Sequence, residues 1–131
     1  MSLPSRPYDD QNFDPPALVL DVEITHPNPK DKRHVTKKAL IDTGADGSVI
    51  PENIRDKWEL HQTGEVTTVD FRREETLEPT YDVRIAINGL VSKIVEVTVA
   101  NREHVLLGRD ILNELKMCAD GKGQSFTLED P

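Results

Sequence analysis

Apolar and polar residues alternate along much of the chain, and this pattern predicts a fold built mainly from strands. From Ala17 onward, Leu18, Leu20, Val22 and Ile24 alternate with mostly polar neighbours, as on a strand with one buried face. Further strand-like segments follow at residues 34–41, 48–50, 65–71, 81–88, 91–99, 104–107 and 125–129.

Turn signals and two helical segments separate these strands. Two prolines make residues 26–33 an exposed loop, and Asn88-Gly89 predicts a hairpin turn. Residues 72–79 read as the charged tip of another hairpin. Helical spacing is found in residues 51–60, with a proline in the first turn, and in residues 109–117. We therefore predict a mostly β fold, a small closed or folded-over sheet, with one or two short helices.

The chain divides into an arm and one domain. Its first 16 residues include four prolines among polar residues, which predicts an extended arm. The total of 131 residues suits a single hydrophobic core rather than two. We expect residues 1–16 to form the arm and residues 17–131 to form the domain.

Composition excludes several classes of function. The chain has 16 basic and 24 acidic residues, a net charge of −8, which argues against nucleic acid or a membrane surface as partner. Cys118 is the single cysteine, so an intrachain disulfide is excluded, and we expect it to be a buried, small apolar group. The four histidines lack ligand spacing, so no metal site is predicted. No leader or long apolar run is visible, and a cytoplasmic location is expected.

The chemistry is concentrated in residues 39–50. An apolar strand delivers Asp42 directly into a tight turn, Thr43 and Gly44 follow, and an apolar strand resumes at Val49 and Ile50. Small residues beside Asp42 let another chain approach it closely, and the apolar flanks keep it poorly solvated. A second informative segment is residues 105–112, in which an apolar run passes through Gly-Arg-Asp into a predicted helix.

These two segments resemble the retropepsin-like aspartic proteases. That family has an apolar-Asp-Thr/Ser-Gly-Ala loop, followed downstream by an apolar-Gly-Arg-Asp/Asn-apolar-Leu segment. The order and separation of the segments extend the resemblance over residues 17–129. It implies a small closed, β-barrel-like half of an acid protease, with a short C-terminal helix, and an aspartic endopeptidase activity. No cofactor is implied, because the nucleophile is water.

Peptide hydrolysis of this kind needs two carboxylates that share one proton. One carboxylate activates water as a base, and the other protonates the substrate carbonyl as an acid. Splitting of the two titrations is a known property of aspartic-protease pairs. The chain has a single Asp-Thr-Gly, so the second carboxylate must be Asp42 of another copy. A two-fold axis brings a loop against its own image, and we therefore predict a symmetric homodimer.

The resemblance implies roles for the neighbours of Asp42. The Thr43 hydroxyl would brace the two loops of the dimer, and the Gly44 carbonyl would face the substrate. Gly44, Ala45 and Asp46 would bind substrate. Asp46 would also pair with Arg109, which we expect to be bidentate and to hold the loop against the following helix.

The resemblance also implies a flap that covers the cleft. The candidate flap is residues 66–83, with Phe71, Arg72 and Arg73 near its tip. The substrate would be an extended peptide, held as a β-strand between flap and sheet. A second hypothesis stays open, because fold does not determine activity: a catalytically inactive dimer that binds peptides or acts as a scaffold.

Overall fold

Strands dominate the structure, a computed structural model that describes residues 4–131. Half of the residues are in strands and 9% in helices, which confirms the predicted mostly β class. The first three residues of the predicted arm lie outside the described residues. In chain order the strands and helices are β1 (Arg6–Pro7), β2 (Val19–Thr25), β3 (His34–Ile41), β4 (Val49–Pro51), α1 (Glu52–Trp58), β5 (Gly64–Val69), β6 (Glu75–Ile87), β7 (Val91–Ala100), β8 (Val105–Leu107), α2 (Arg109–Leu112), β9 (Lys116–Asp120) and β10 (Ser125–Glu129).

Six strands close into a barrel. Their order is β2-β3-β8-β4-β7-β6, and pairing of β6 with β2 from Glu23↔Ala86 to Thr25↔Arg84 closes the ring. The alternation seen in the sequence sets the inside, since Leu20, Val22 and Ile24 are buried while the residues between them are exposed. Each such side chain contributes about 1.5–3 kcal/mol on burial. The predicted closed barrel is confirmed.

Strand β6 takes part both in a hairpin with β5 and in the barrel, and the predicted limits of the hairpin tip were wrong. Its first half pairs with β5, from Val69↔Glu75 to Gly64↔Thr80, and its second half pairs with β7. The predicted tip over residues 72–79 therefore shrinks to residues 70–74. Pro79 lies opposite Glu65 of β5, and β7 pairs with β6 only from Tyr81 onward, so within residues 4–131 the proline has a single strand neighbour, a position at which proline is tolerated.

A second sheet has the order β1-β10-β9 and corrects two further predictions. The helix predicted over residues 109–117 ends at Leu112, and Lys116–Asp120 pairs with β10 instead. This segment has little apolar alternation, so it forms a strand because it pairs with β10 and not because of its own sequence pattern. Cys118 lies on this strand, whose residues are mostly exposed, and it is exposed rather than buried as predicted.

The arm lies against its own chain. Arg6 and Pro7 pair with Phe126 and Ser125 of β10, and the Tyr8 ring lies 6.2 Å from that of Phe126. Phe126 and Leu128 are fully buried in the same core cluster as the barrel residues, so the second sheet and the barrel share one core. None of the helices in the described part of the chain has the length and apolar character that a membrane span requires.

Candidate active site

Asp42 lies immediately after β3, where that strand ends beside the parallel strand β8. Its N–H donates to the carbonyl of Leu107 at 3.0 Å. The N–H of Ala45 donates to the Asp42 carbonyl at 3.2 Å and closes a tight turn. The N–H of Gly44 donates to Asp42 Oδ1 at 3.0 Å. The carboxylate is therefore oriented by the turn that follows it.

The surface around this carboxylate is open. Asp42 is half-buried, whereas Thr43 and Gly44 are exposed. A β-carbon at Gly44 would lie 3.3 Å from Asp42 Oδ1, so a side chain there would crowd the carboxylate. Glycine thus keeps a small, accessible surface that a second molecule can approach.

Two other acidic residues belong to the Asp42 segment and to α2, and the carboxylate of each is engaged by another residue. The Asp46 side chain is 94% exposed and contacts the Arg109 guanidinium. The Asp110 carboxylate accepts hydrogen bonds from Ser48. Within residues 4–131, neither carboxylate is hydrogen-bonded to Asp42. The described chain therefore presents one such carboxylate, without the partner that paired catalysis requires.

Arg109 connects the start of α2 to residues 42–48, which we call the Asp42 loop. One terminal nitrogen, Nη1, donates to the Thr43 carbonyl at 2.7 Å, and the other, Nη2, donates to Asp46 Oδ1. The expected bidentate pair with Asp46 is therefore replaced by a bridge to two partners. The Arg109 backbone N–H also donates to the Ala45 carbonyl at 2.9 Å.

A buried contact between Ser48 and Asp110 supports the same loop, and the sequence analysis missed it. Ser48 is 1% exposed, and its hydroxyl donates to Asp110 Oδ1 at 2.7 Å while accepting the Gly108 N–H at 3.0 Å. The Ser48 N–H donates to Asp110 Oδ2 at 3.0 Å. The signal available in the sequence was a serine at the start of a predicted apolar strand, because a buried hydroxyl requires hydrogen-bond partners.

Gly108 allows the two segments to pack this closely. A β-carbon there would lie 2.7 Å from the carbonyl carbon and oxygen of Gly47, and 3.0 Å from the Ala45 carbonyl oxygen. Real β-carbons do not approach backbone atoms to 2.7 Å, so only glycine fits between β8 and the Asp42 loop.

Residues 64–80 form a hairpin that projects from the barrel, and we call it the flap hairpin. Its tip is held locally: Asp70 Oδ1 accepts the N–H groups of Arg72 at 2.8 Å and Glu74 at 3.0 Å, and Arg73 is left-handed with φ of 62°. Phe71 is 91% exposed, with the Arg72 guanidinium 5.4 Å from its ring centre. The predicted flap residues thus form an ordered but exposed tip.

A cleft of about 830 Å³ lies between the Asp42 loop, the flap hairpin and β7. Its lining includes Gly44, Ala45 and Asp46, which the sequence analysis assigned to substrate binding. Asp42 and the tip residues 71–73 are not among the lining residues of this single chain. The described residues of the chain include no group of three or more potential metal ligands.

Comparisons with known proteins agree with this architecture. Residues 32–114 match the family model described as "gag-polyprotein putative aspartyl protease". No curated protein matches the chain. Among solved structures, a retropepsin-like aspartic protease from Rickettsia conorii is 15% identical with a TM-score of 0.59, covering 98% of this chain and 90% of that one.

Two viral structures are also similar. A simian foamy virus protease is 19% identical with a TM-score of 0.53, covering 73% of this chain and 92% of that chain. A foamy viral protease-reverse transcriptase is 23% identical with a TM-score of 0.57, covering 76% of this chain. The chain spans only 12% of the length of that larger protein. At these identities the likeness establishes the fold alone.

The family model spans the Asp42 loop, the flap hairpin, β8 and α2. The chain belongs to the aspartyl protease family of gag polyproteins, and it has the retropepsin-like fold of that family.

Proposed function

We propose that the chain is an aspartic endopeptidase that is active as a symmetric homodimer. Asp42 of each copy supplies one carboxylate of the catalytic pair. The substrate is an extended peptide, and the attacking nucleophile is water. Residues 17–131 form the protease domain in this proposal, and residues 1–16 are its arm.

The geometry around Asp42 is the observation that supports this proposal. Its carboxylate is oriented by the Gly44 N–H at 3.0 Å, beside an exposed Thr43-Gly44 surface, and has no second carboxylate hydrogen-bonded to it among the described residues. This arrangement supports a site that a second carboxylate completes. A second copy placed across a two-fold axis would bring an identical group to it.

The chemistry then divides between the two copies. One Asp42 carboxylate takes a proton from water as the water attacks the peptide carbonyl carbon. The protonated Asp42 of the other copy donates a hydrogen bond and then a proton to the carbonyl oxygen, which gives a diol intermediate. The first Asp42 then passes its proton to the amide nitrogen as the C–N bond breaks, and the second Asp42 recovers a proton from a diol hydroxyl, which forms the carboxylic acid product. Gly44, Ala45 and Asp46 hold the peptide backbone beside the pair, and Thr43 braces the two loops. Because one proton must remain on the pair, cleavage should fall at alkaline pH.

Mixing wild-type protein with Asp42→Asn tests both the residue and the dimer. The variant alone should show no cleavage of a peptide library, because the amide cannot act as a base. With exchange of subunits and a ninefold excess of the variant, each wild-type chain finds a wild-type partner about one time in ten. Activity per wild-type chain should therefore fall to about a tenth.

Two results would contradict this proposal. Undiminished activity per wild-type chain in the mixture would mean that one chain carries a complete site. Cleavage by Asp42→Asn at the wild-type rate would mean that Asp42 is not the catalytic carboxylate. The control is an equal excess of Glu103→Gln, an exposed change in the loop before β8 that should leave activity per chain unchanged.

The second candidate function is a dimer that binds peptides without cutting them. The flap hairpin favours it, because its tip lacks glycine and is held by Asp70 in one conformation. This alternative predicts that wild type and Asp42→Asn both dimerise and retain peptides, while neither cleaves them at any pH from acidic to neutral.

A further inference from the structure

Building on the proposed peptidase function, we propose that Glu96, Thr80 and Gly64 form a subsite that binds the cationic side chain of a lysine or arginine in the substrate. The subsite lies where the base of the flap hairpin meets β7. Its ligand is a positively charged hydrogen-bond donor on an extended peptide.

Glu96 supplies the charge of this subsite. It lines the cleft from β7, it is exposed, and its carboxylate has no hydrogen-bond or ion-pair partner among residues 4–131. It also lies directly opposite Asp82 of β6 in the strand register. Like charges directly opposite each other on a sheet are destabilising, so this pair costs stability in the free protein. A bound cation would offset that repulsion.

Thr80 supplies an independent sign of a missing ligand. It lines the cleft and is 1% exposed, yet its hydroxyl oxygen has no hydrogen-bond partner in the part of the chain that the structure describes. Buried hydroxyls are normally paired, and an unpaired one destabilises the protein. A donor that entered from the cleft would satisfy this oxygen.

Gly64 lies beside both groups. A β-carbon at this position would lie 3.1 Å from Thr80 Oγ1 and also 3.1 Å from Glu96 Oε2. Both oxygens therefore lie beside the same glycine, and no side chain separates them from it. Two acceptor oxygens placed together in this way suit the N–H groups of an ammonium or guanidinium.

The charges nearby favour a cation over a neutral donor. None of the described residues that line the cleft is basic. The Asp46 carboxylate is already in contact with Arg109, and the Asp110 carboxylate is engaged by Ser48. Arg84 lies on the same face of β6 as Asp82, but its guanidinium donates to Ser92 at 3.2 Å. Glu96 is thus the carboxylate of this cleft that remains without compensation.

Cleavage of a degenerate decapeptide library, read by mass spectrometry, tests this subsite. Wild type should enrich lysine or arginine about fivefold at one fixed distance from the cut bond, the scale of a partly exposed ion pair. Glu96→Gln should remove the enrichment, and Glu103→Gln, the same charge change outside the cleft, should retain it. Raising the salt concentration should weaken the enrichment in wild type.

Thr80→Val separates a binding role from a structural one. Valine has nearly the same shape, so loss of an unpaired buried hydroxyl should raise the melting temperature. The same change should reduce the lysine or arginine enrichment about twofold or more, because one acceptor is lost. Unchanged enrichment in Glu96→Gln, or enrichment of acidic residues in wild type, would overturn the proposal.

A binding experiment tests the subsite independently of catalysis. The same library is passed over immobilised Asp42→Asn protein and over the double variant Asp42→Asn, Glu96→Gln, and the retained peptides are sequenced. Enrichment of basic residues on the first protein alone supports the subsite even where wild type cleaves nothing. Equal retention on both proteins overturns the subsite even where wild type proves to be a peptidase.

Discussion

The Asp42 loop and the flap hairpin face each other across the cleft, but they are held in opposite ways. The loop is anchored by residues about 60 positions away, through Ser48 to Asp110 and Gly108 and through Arg109 to Thr43. The flap tip is held by Asp70, which binds the N–H groups of residues two and four positions on. The Ser48 part of the loop support is buried, whereas the tip is exposed.

This difference indicates which parts of the site are fixed and which can adapt. Long-range buried contacts tie the loop to the barrel, so it can move only when the core opens. The tip can open locally at little cost, since it buries almost no apolar surface. A rigid carboxylate beside an adaptable cover is consistent with the peptide-cleaving site proposed above.

The largest expected loss of stability comes from adding a side chain at Gly108. In Gly108→Ala the new β-carbon would lie 2.7 Å from Gly47 backbone atoms, which no rotamer change can relieve. We expect a loss of unfolding free energy of about 3 kcal/mol or more, measured by urea denaturation. The control is Gly121→Ala, where a β-carbon meets nothing within 4 Å. Equal stability of the two variants would contradict the observed packing.

Removal of the Ser48 hydroxyl should be the next largest effect. Ser48→Ala leaves the buried Gly108 N–H without its acceptor and removes one of the two hydrogen bonds to Asp110 Oδ1, which should cost about 2 kcal/mol. Ser92→Ala removes a hydroxyl that binds only at the exposed surface and should cost much less. Urea denaturation of both variants checks the order, and a smaller loss in Ser48→Ala would refute a buried anchor.

Arg109→Lys should have a moderate effect on stability. An ammonium cannot reach the Thr43 carbonyl and Asp46 as the guanidinium does, but the Asp46 side chain is 94% exposed. We expect a loss of about 0.5–1 kcal/mol, because the exposed pair is screened by solvent. Thermal denaturation of Arg109→Lys and Arg109→Ala measures it. Lysine that fully preserves stability would mean that the bridge contributes charge alone.

The smallest effect on global stability is expected at the flap tip. Asp70→Ala should leave the unfolding free energy within about 0.5 kcal/mol of wild type, because the tip opens independently of the core. Amide exchange at Arg72 and Glu74 should nevertheless become about tenfold faster, since their acceptor is lost. Glu74→Ala removes the same charge from the tip but keeps the acceptor, and should leave exchange unchanged. A large global loss in Asp70→Ala would place the tip in the folded core.

Sequence patterns located most of the barrel, because alternating burial follows directly from a strand's two faces. Residues 34–41 and 125–129 are strands with the predicted limits. The pattern failed at β9 and at the first half of β6, where an exposed strand or a proline hides the pairing. In both places pairing with the adjacent hairpin strand, β10 or β5, determines the strand, and the residues themselves show no buried apolar alternation.

The chain sequence by itself determined most of the barrel strands and the position of Asp42 in a tight turn, and it contains a single Asp-Thr-Gly segment. These depend on local periodicity and on residue counts. Only the tertiary structure decided that Ser48 and Asp110 anchor the loop, that Arg109 bridges two partners, and that Thr80 and Glu96 converge beside Gly64. Such contacts join residues brought together by strand register, and register is determined by packing across the whole core.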